Sequence, residues 1–291
     1  MAVLGAPIDD DDYERSPAWL TYYARDDSPC GTEISLDEQR LVEKEFARRK
    51  GVNGTALDLF AKRAVTVPVV WNTIMETSGG KGSVSNFQID ETIAKINASF
   101  LGSGFTFVLT LRRRYVYPPW FNGDKNSKEE KAMKKQLRQG DAKTLKIYTT
   151  NFGDLNPKLL GHATFPWDYS PGANQYLDGI VVKYIAVSWG SATNYNSGAV
   201  FAHEVGHWLG LYHTFQNGCA KSGEFDGDYV SDTPAQANAT SGCPPIRDSC
   251  PNLPGRDPHH NFMDYSYDRC RDNFTPGQFA RIKDYWASYR G

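Results

Sequence analysis

His203-Glu204-Val205-Gly206-His207-Trp208-Leu209-Gly210-Leu211-Tyr212-His213 is the stretch that decides the fold. Residues four apart on a helix lie about 6 Å apart on one face, so His203 and His207 can turn both imidazoles to one ion. Glu204 is no ligand on that geometry, but it stands beside the site and can touch a water there. Gly210 is where the helix can stop and the chain turn back, which brings His213 up as a third ligand. Three imidazoles with an open fourth position describe a catalytic zinc site, whereas a structural site is closed by four protein ligands. The chain holds six histidines and three of them fall in this stretch. A shuffled chain of the same composition matches the pattern with a chance of about 10⁻⁵.

The rest of the chain must build a core around that helix. It has 291 residues, is 40% apolar and 13% aromatic, and sets 32 Lys and Arg against 34 Asp and Glu. Such a chain can bury a sizeable core and is not disordered as a whole. The net charge of −2 speaks against nucleic acid as a partner, because neutralising phosphates takes a basic excess on one face. Arg112 to Arg114 and the Lys-rich stretch from Lys125 to Arg138 read as solvated faces. The longest apolar stretch, Gly179 to Trp189, is interrupted by Lys183 and is too short to span a bilayer, so no membrane partner is expected.

The first sixty residues open on an acidic run at Asp9 to Asp12 and continue into a Glu- and Arg-rich helical stretch, Leu36 to Lys50, that reads as solvated. Arg48-Arg49-Lys50 and Lys62-Arg63 would suit proteolytic removal. From Val65 onward the pattern is that of a folded domain. Val65 to Met75 is rich in β-branched residues, with Pro68 marking an edge or a strand start. Ser85 or Asn86 can cap a helix whose Ile89, Ile93, Ile96 and Phe100 share one face. Phe107, Leu109 and Leu111 alternate as a strand does, and Leu145 and Ile147 continue that period. Gly179 to Val187 reads as a buried strand, Ala199 to Leu211 as the zinc helix, and Gly161 to Pro166 as an edge strand along which an extended substrate can lie. Thr275-Pro276-Gly277-Gln278 opens a last helix with a capping box. The fold class is therefore α/β in the mixed α+β sense, with an irregular C-terminal part.

Asn261-Phe262-Met263-Asp264-Tyr265 adds a second element. The extended zinc motif followed by this turn resembles the metzincin metallopeptidases. Gly227-Asp228-Tyr229-Val230-Ser231-Asp232-Thr233-Pro234 and Met263-Asp264-Tyr265-Ser266 resemble more closely the pappalysin family, with its secreted fungal members and ulilysin. The likeness covers roughly Val65 to Gly291. It implies a pro-segment over 1–60 and a metzincin catalytic domain over 61–291. The upper part of that domain, about 65–213, would be a twisted mixed sheet over the zinc helix, and the lower part, about 214–291, would carry the Met-turn. Met263 would form an apolar floor beneath the zinc ligands, and Tyr265 would approach the ion from one side.

The implied activity is a zinc endopeptidase acting on proteins or peptides. Zinc lowers the pKa of water from 15.7 to about 7. Glu204 would accept that water's proton and pass it to the leaving amine, while Tyr265 would help stabilise the oxyanion. Asp268 would lie at the bottom of the pocket for the residue after the scissile bond and select Arg or Lys there. Its other reading is a loop carboxylate beside Arg269 or Arg271. Asp228, Thr233 and the Ser231 carbonyl resemble a calcium site, and an ordinary polar turn would look much the same. The rival from another class is a zinc-stabilised extracellular binding protein without activity, which would need neither Glu204 nor Tyr265.

Five cysteines leave at least one unpaired within the chain. The family pattern pairs Cys219 with Cys250 and Cys243 with Cys270, each closing a loop of about 30 residues worth roughly 3 to 4 kcal/mol in the chain-entropy model. Such bonds imply an oxidising compartment and hence secretion, although Met1 to Asp12 has neither the basic start nor the apolar run of a signal peptide. Cys30, in Pro29-Cys30-Gly31-Thr32, is left over. By the same resemblance it would act as a cysteine switch, its thiolate filling the fourth zinc position. The family pattern has Arg close before that cysteine, whereas here Ser28-Pro29 precede it and Arg25 is five residues away. A spare thiol is the alternative.

Overall fold

The computed structural model describes residues 28–61, 63–153, 157–220 and 227–291. The acidic run at Asp9 to Asp12, Arg25, Lys62 and Asp226 lie outside them. The described elements are α1 (Leu36–Ala61), β1 (Val65–Met75), α2 (Asn86–Ser99), β2 (Phe105–Val116), α3 (Pro118–Phe121), α4 (Lys128–Leu137), β3 (Leu145–Thr150), β4 (Gly161–Ala163), β5 (Ile180–Lys183), α5 (Ala199–Trp208) and α6 (Pro276–Tyr289). The strands form one mixed sheet in the order β2-β1-β3-β5-β4, parallel except for β4.

The local signals that open the helices act as their chemistry dictates. Ser85 caps α2 and Thr275 caps α6, each with its Gln three residues on closing the capping box. Ile89, Ile93, Ile96 and Phe100 all point into the core. That core lies on one face of the sheet. It joins β1 residues Val67, Val69 and Trp71 to Phe201, Val205 and Trp208 of α5 and to Phe262, Met263, Ile282 and Trp286. The upper and lower parts thus share one core. A smaller cluster on the other face packs Phe121, Met133 and Leu137 against Tyr148 and Val181.

Five readings of the sequence need correction. β1 is interior rather than an edge, because its pairing with β3 begins only at Val69↔Leu145 and Pro68 precedes it. Pro68 therefore breaks no ladder on that side. The buried strand at 179–187 is shorter, since Tyr184–Ala186 winds into a 3₁₀ turn after β5. α5 stops at Trp208 rather than Leu211. α1 is not a solvated rod: Phe46 stacks on Tyr285 at 4.1 Å and Glu43 pairs with Arg281 at 2.6 Å, both on α6. Lys134 of α4 is likewise buried, paired with Glu130 at 2.8 Å.

One buried carboxylate ties the layers together. Asp178 takes Lys146 Nζ of β3 at 3.0 Å, Arg290 beyond α6 at 2.9 Å and the Trp208 indole N–H of α5 at 3.0 Å. Burial alone would push this carboxyl up, but Arg290 and Lys146 hold it below the usual aspartate range. Replacing it strands two buried cations. Asp178→Asn should cost about 3 to 5 kcal/mol in urea unfolding at neutral pH. A carboxyl whose folded pKa is depressed contributes stability that is complete above about 3.9 and is lost as pH falls through the folded value. The wild-type and variant stabilities should accordingly converge on acidification.

Candidate active site

The site is built from the end of α5 and the turn after it. His203 and His207 lie one turn apart on the helix, and both are buried. Each is oriented by its inner nitrogen: His203 Nδ1 lies 2.7 Å from the Phe262 carbonyl and His207 Nδ1 lies 2.8 Å from the Leu211 carbonyl. A carbonyl can only accept, so both Nδ1 atoms carry the proton and both Nε2 atoms present lone pairs. Gly210, at φ 105°, reverses the chain after the helix. His213 then arrives with its Nε2 3.0 Å from that of His207.

The His203 and His207 Nε2 atoms are 3.1 Å apart. Two lone pairs facing each other at that distance repel unless a cation lies between them. Four zinc donors at about 2.05 Å in a tetrahedron stand roughly 3.3 Å from one another. Cys30 Sγ completes the set, and the four donor atoms all lie within 4.8 Å of each other. Burial keeps the imidazoles neutral, His207 down to about 3, which leaves their nitrogens free to bind a metal. The donor chemistry therefore fits zinc.

Glu204 faces the same space and is fully buried. Its Oε2 accepts from Thr32 Oγ1 at 3.2 Å and from the Cys30 thiol at 3.6 Å, while its Oε1 has no hydrogen-bond partner. Burial raises this carboxyl to about 8. Burial, reinforced by the Glu204 charge, raises the Cys30 thiol as well. Tyr265 sets its hydroxyl 3.1 Å from His213 Nε2. Met263 lies beneath the helix, where a Cβ on Gly206 would stand 2.5 Å from its sulfur.

The β4 edge is covered by the N-terminal segment. Gly31 N–H donates to the Gly161 carbonyl at 2.8 Å, Leu160 N–H donates to the Pro29 carbonyl at 2.8 Å, and Cys30 bridges Gly161 in parallel. Thr32 Oγ1 accepts from Ala163 N–H at 2.8 Å. Residues 29–32 thus occupy the edge on which the sequence reading placed a substrate. That contact escaped the sequence because its partners are some 130 residues apart and no local pattern links them.

The cysteines pair as Cys219–Cys250 and Cys243–Cys270, with Cα atoms 5.6 and 5.9 Å apart, and Cys30 is free. Asp228 and Thr233 come together through a 2.6 Å hydrogen bond, both buried, while Ser231 is exposed. His162 is buried against Glu130 at 3.2 Å, His259 is buried and His260 is exposed. Asp268 is buried. Its carboxylate takes Arg271 at 2.6 Å on one oxygen and the N–H and Oγ of Ser197, each at 2.8 Å, on the other. The carboxylate is thus held by groups of its own chain. The pair is an i, i+3 contact, and the loop reading beside Arg271 had named it.

The model of the Peptidase M43 family, pregnancy-associated plasma protein-A, matches residues 125–287. An extracellular metalloprotease of Colletotrichum graminicola is 39% identical over 264 residues, covering 90% of each chain. One of Podospora anserina is 41% identical over 273 residues, covering 90% of this chain and 89% of its own. The chain belongs to the pappalysin family of metallopeptidases. Among solved structures it is similar to a promirolysin mutant of Tannerella forsythia, at TM-score 0.67 and 25% identity, with 91% of this chain and 95% of the other covered. Mature mirolysin with a cleaved peptide matches at TM-score 0.62 and 27% identity, covering 76% of this chain and 91% of its own. The pappalysin fold places Glu204 against the β4 edge with little clearance: a Cβ on Gly161 would lie 2.8 Å from Glu204 Oε1. Gly161→Ala should therefore displace that carboxylate and lower kcat by about 10²-fold with little change in melting temperature, read by steady-state kinetics beside thermal unfolding.

Proposed function

We propose that this pappalysin is a secreted endopeptidase, made with a pro-segment over 1–60 ahead of a catalytic domain over 61–291. His203, His207 and His213 would hold its zinc, and Glu204 would be its general base and acid. The observation that carries the reading is the pair of facing imidazole nitrogens beside a buried carboxylate. Zinc, when bound, supplies a Lewis acid that acidifies water and polarises a peptide carbonyl. Glu204 would accept the attacking water's proton through Oε2, the oxygen that Thr32 and Cys30 hold while the N-terminal segment is in place, and the same carboxylic acid would then donate that proton to the leaving amine. Burial favours the proton-carrying form between these two events. The Tyr265 hydroxyl would donate to the developing oxyanion. The disulfides and the extracellular relatives support secretion.

An inactive zinc-binding module would have no use for a buried carboxylate beside the donors. Glu204→Ala should retain about one zinc per chain and lose 10²-fold to 10⁴-fold or more in peptide cleavage, measured by metal analysis with a chelator-controlled assay. Unchanged chelator-sensitive cleavage in that variant would sink the assignment of Glu204.

The same geometry supports latency. Cys30 is the fourth donor, its flanking residues lie along the β4 edge, and Ser28 and the Cys30 carbonyl contact the Tyr265 hydroxyl. The segment takes at once the places of substrate and of the open zinc position. Its helix α1 is anchored to α6 by Glu43 with Arg281 and by Lys50 with Asp284 at 2.6 Å. Promirolysin, a relative in its pro-form, matches more of this chain than the mature enzyme does, which supports the reading. Full-length protein should be latent, and Cys30→Ser should raise its activity at least about tenfold by opening the fourth position; equal latency in the variant would refute the switch.

Calcium is the second part of the reading. Asp228 is buried, and burial raises its carboxyl to about 7. A cation held by Asp228, Thr233 and the Ser231 carbonyl would return it to an ordinary carboxylate. The expected preference for Arg or Lys after the scissile bond asks Asp268 to release Arg271 in exchange for a substrate cation.

A further inference from the structure

Two parts of the N-terminal segment grip the catalytic domain, and both lie before the site at which the segment can be cut away. Residues 28–32 fill the cleft, and α1 begins only at Leu36, so Glu33, Ile34 and Ser35 join the two anchors. Arg63, between the end of α1 and the start of β1, is exposed. The other basic site, Arg48-Arg49-Lys50, lies inside the helix. There Arg49 donates to the Ser288 carbonyl at 3.1 Å and Lys50 pairs with Asp284. A protease takes its substrate as an extended, locally opened chain, so the docked helix withholds that site and leaves Arg63 as the accessible one.

The grip of α1 runs down one side of the helix. Gln39, Glu43, Phe46 and Lys50 follow at steps of four, three and four, which aligns them on one face. Gln39 donates to the Gly227 carbonyl at 2.9 Å and accepts from Asn217 at 2.5 Å. Glu43 takes Arg281 at 2.6 and 3.3 Å on its two oxygens and the Tyr285 hydroxyl at 2.8 Å. Phe46 stacks on Tyr285, and the Arg49 guanidinium lies 4.6 Å from the Tyr289 ring centroid. Among the described residues, Glu43 is the one carboxylate paired with Arg281, which is itself buried and otherwise donates to the Gly210 carbonyl at 2.9 Å. Departure of α1 strips that guanidinium of its counter-charge, and losing one member of a desolvated charge pair speeds or slows dissociation more than any rim contact does.

We propose that the face of α6 around Arg281 and Tyr285 is a docking surface for α1 that outlasts the cut: cleavage at Arg63 leaves the pro-segment bound as a non-covalent inhibitor, and activity appears only when α1 leaves α6. The inference rests on the latency reading above and deepens it. Hydrolysis of the Arg63–Ala64 bond by a trypsin-class protease consumes one water and leaves a carboxylate on Arg63 and an amino terminus on Ala64. It breaks no contact of either anchor. The cleft segment is short, but three residues tie it to a helix that is already docked. Its effective concentration at the donor histidines therefore stays on the order of millimolar for as long as α1 is in place.

The test uses the full chain, loaded with zinc and cut briefly with trypsin, which is then inactivated. Fragments are identified by mass, passed through gel filtration under native conditions and assayed for chelator-sensitive peptide cleavage. In the wild type the first cut should fall beside Arg63, both fragments should elute as one species, and activity should stay within about twofold of the uncut chain. The double variant Glu43→Gln with Phe46→Leu, conservative in size, should let the cut pro-segment elute apart and raise activity at least about tenfold over the cut wild type. The wild-type elution decides even where the variant folds poorly. A first cut within 48–50, fragments that separate in the wild type, or a tenfold gain on cutting alone overturns the proposal and leaves the latency reading standing. So does a folded variant whose cut fragments stay together and inactive. A full chain as active before the cut as after loss of the pro-segment overturns the latency reading and the proposal with it.

Discussion

Two imidazole lone pairs, on His203 and His207, face each other at 3.1 Å in a buried space. A dry interior does not hold such a pair without a positive charge between them, and much of the molecule serves to keep it. The i, i+4 step of α5 sets the spacing, the Phe262 and Leu211 carbonyls fix which nitrogen is protonated, and Gly210 turns the chain so that His213 can join. Each of these supports lies outside the donor set. Second contacts of this kind orient metal ligands and fix their tautomers.

The positions of those supports depend in turn on two unlike devices. Above the site, the buried Asp178 network joins β3, α5 and the C-terminal arginine, so that the helix carrying the donors cannot slide against the sheet. Below it, where regular structure is sparse, the disulfides take over. Cys243–Cys270 holds the chain between the Met-turn and α6, the same stretch that carries Asp268 and Arg271. Rigid anchoring on both sides lets a segment as short as residues 28–32 fill the cleft through four backbone or hydroxyl hydrogen bonds to the β4 edge.

The parts of this arrangement that were legible in the sequence are those written in local spacing. The donor histidines, the capping boxes of α2 and α6 and the apolar face of α2 are all set within four residues along a helix, where periodicity fixes contact. The cysteine partners were reachable only through family likeness, since spacing alone left them open. Long-range matters were not readable. Pro68 looked like an edge signal because the sequence does not say where β3 begins to pair. α1 looked solvated because it docks through Glu43, Phe46 and Lys50, a mixed set that leaves no apolar stripe. For Asp268 the chain order offered Arg269 and Arg271 alike as neighbours, and only the folded loop selects Arg271.

One zinc would lie between the three histidines and be closed off by Cys30 in the full chain. X-ray absorption at the zinc edge on the purified full-length protein tests it most directly. The account predicts one zinc per chain with three nitrogen neighbours at about 2.0 to 2.1 Å and one sulfur at about 2.3 Å, the sulfur disappearing in Cys30→Ser. A zinc shell with no sulfur in the wild type, or a full-length chain that takes up no zinc, would contradict it.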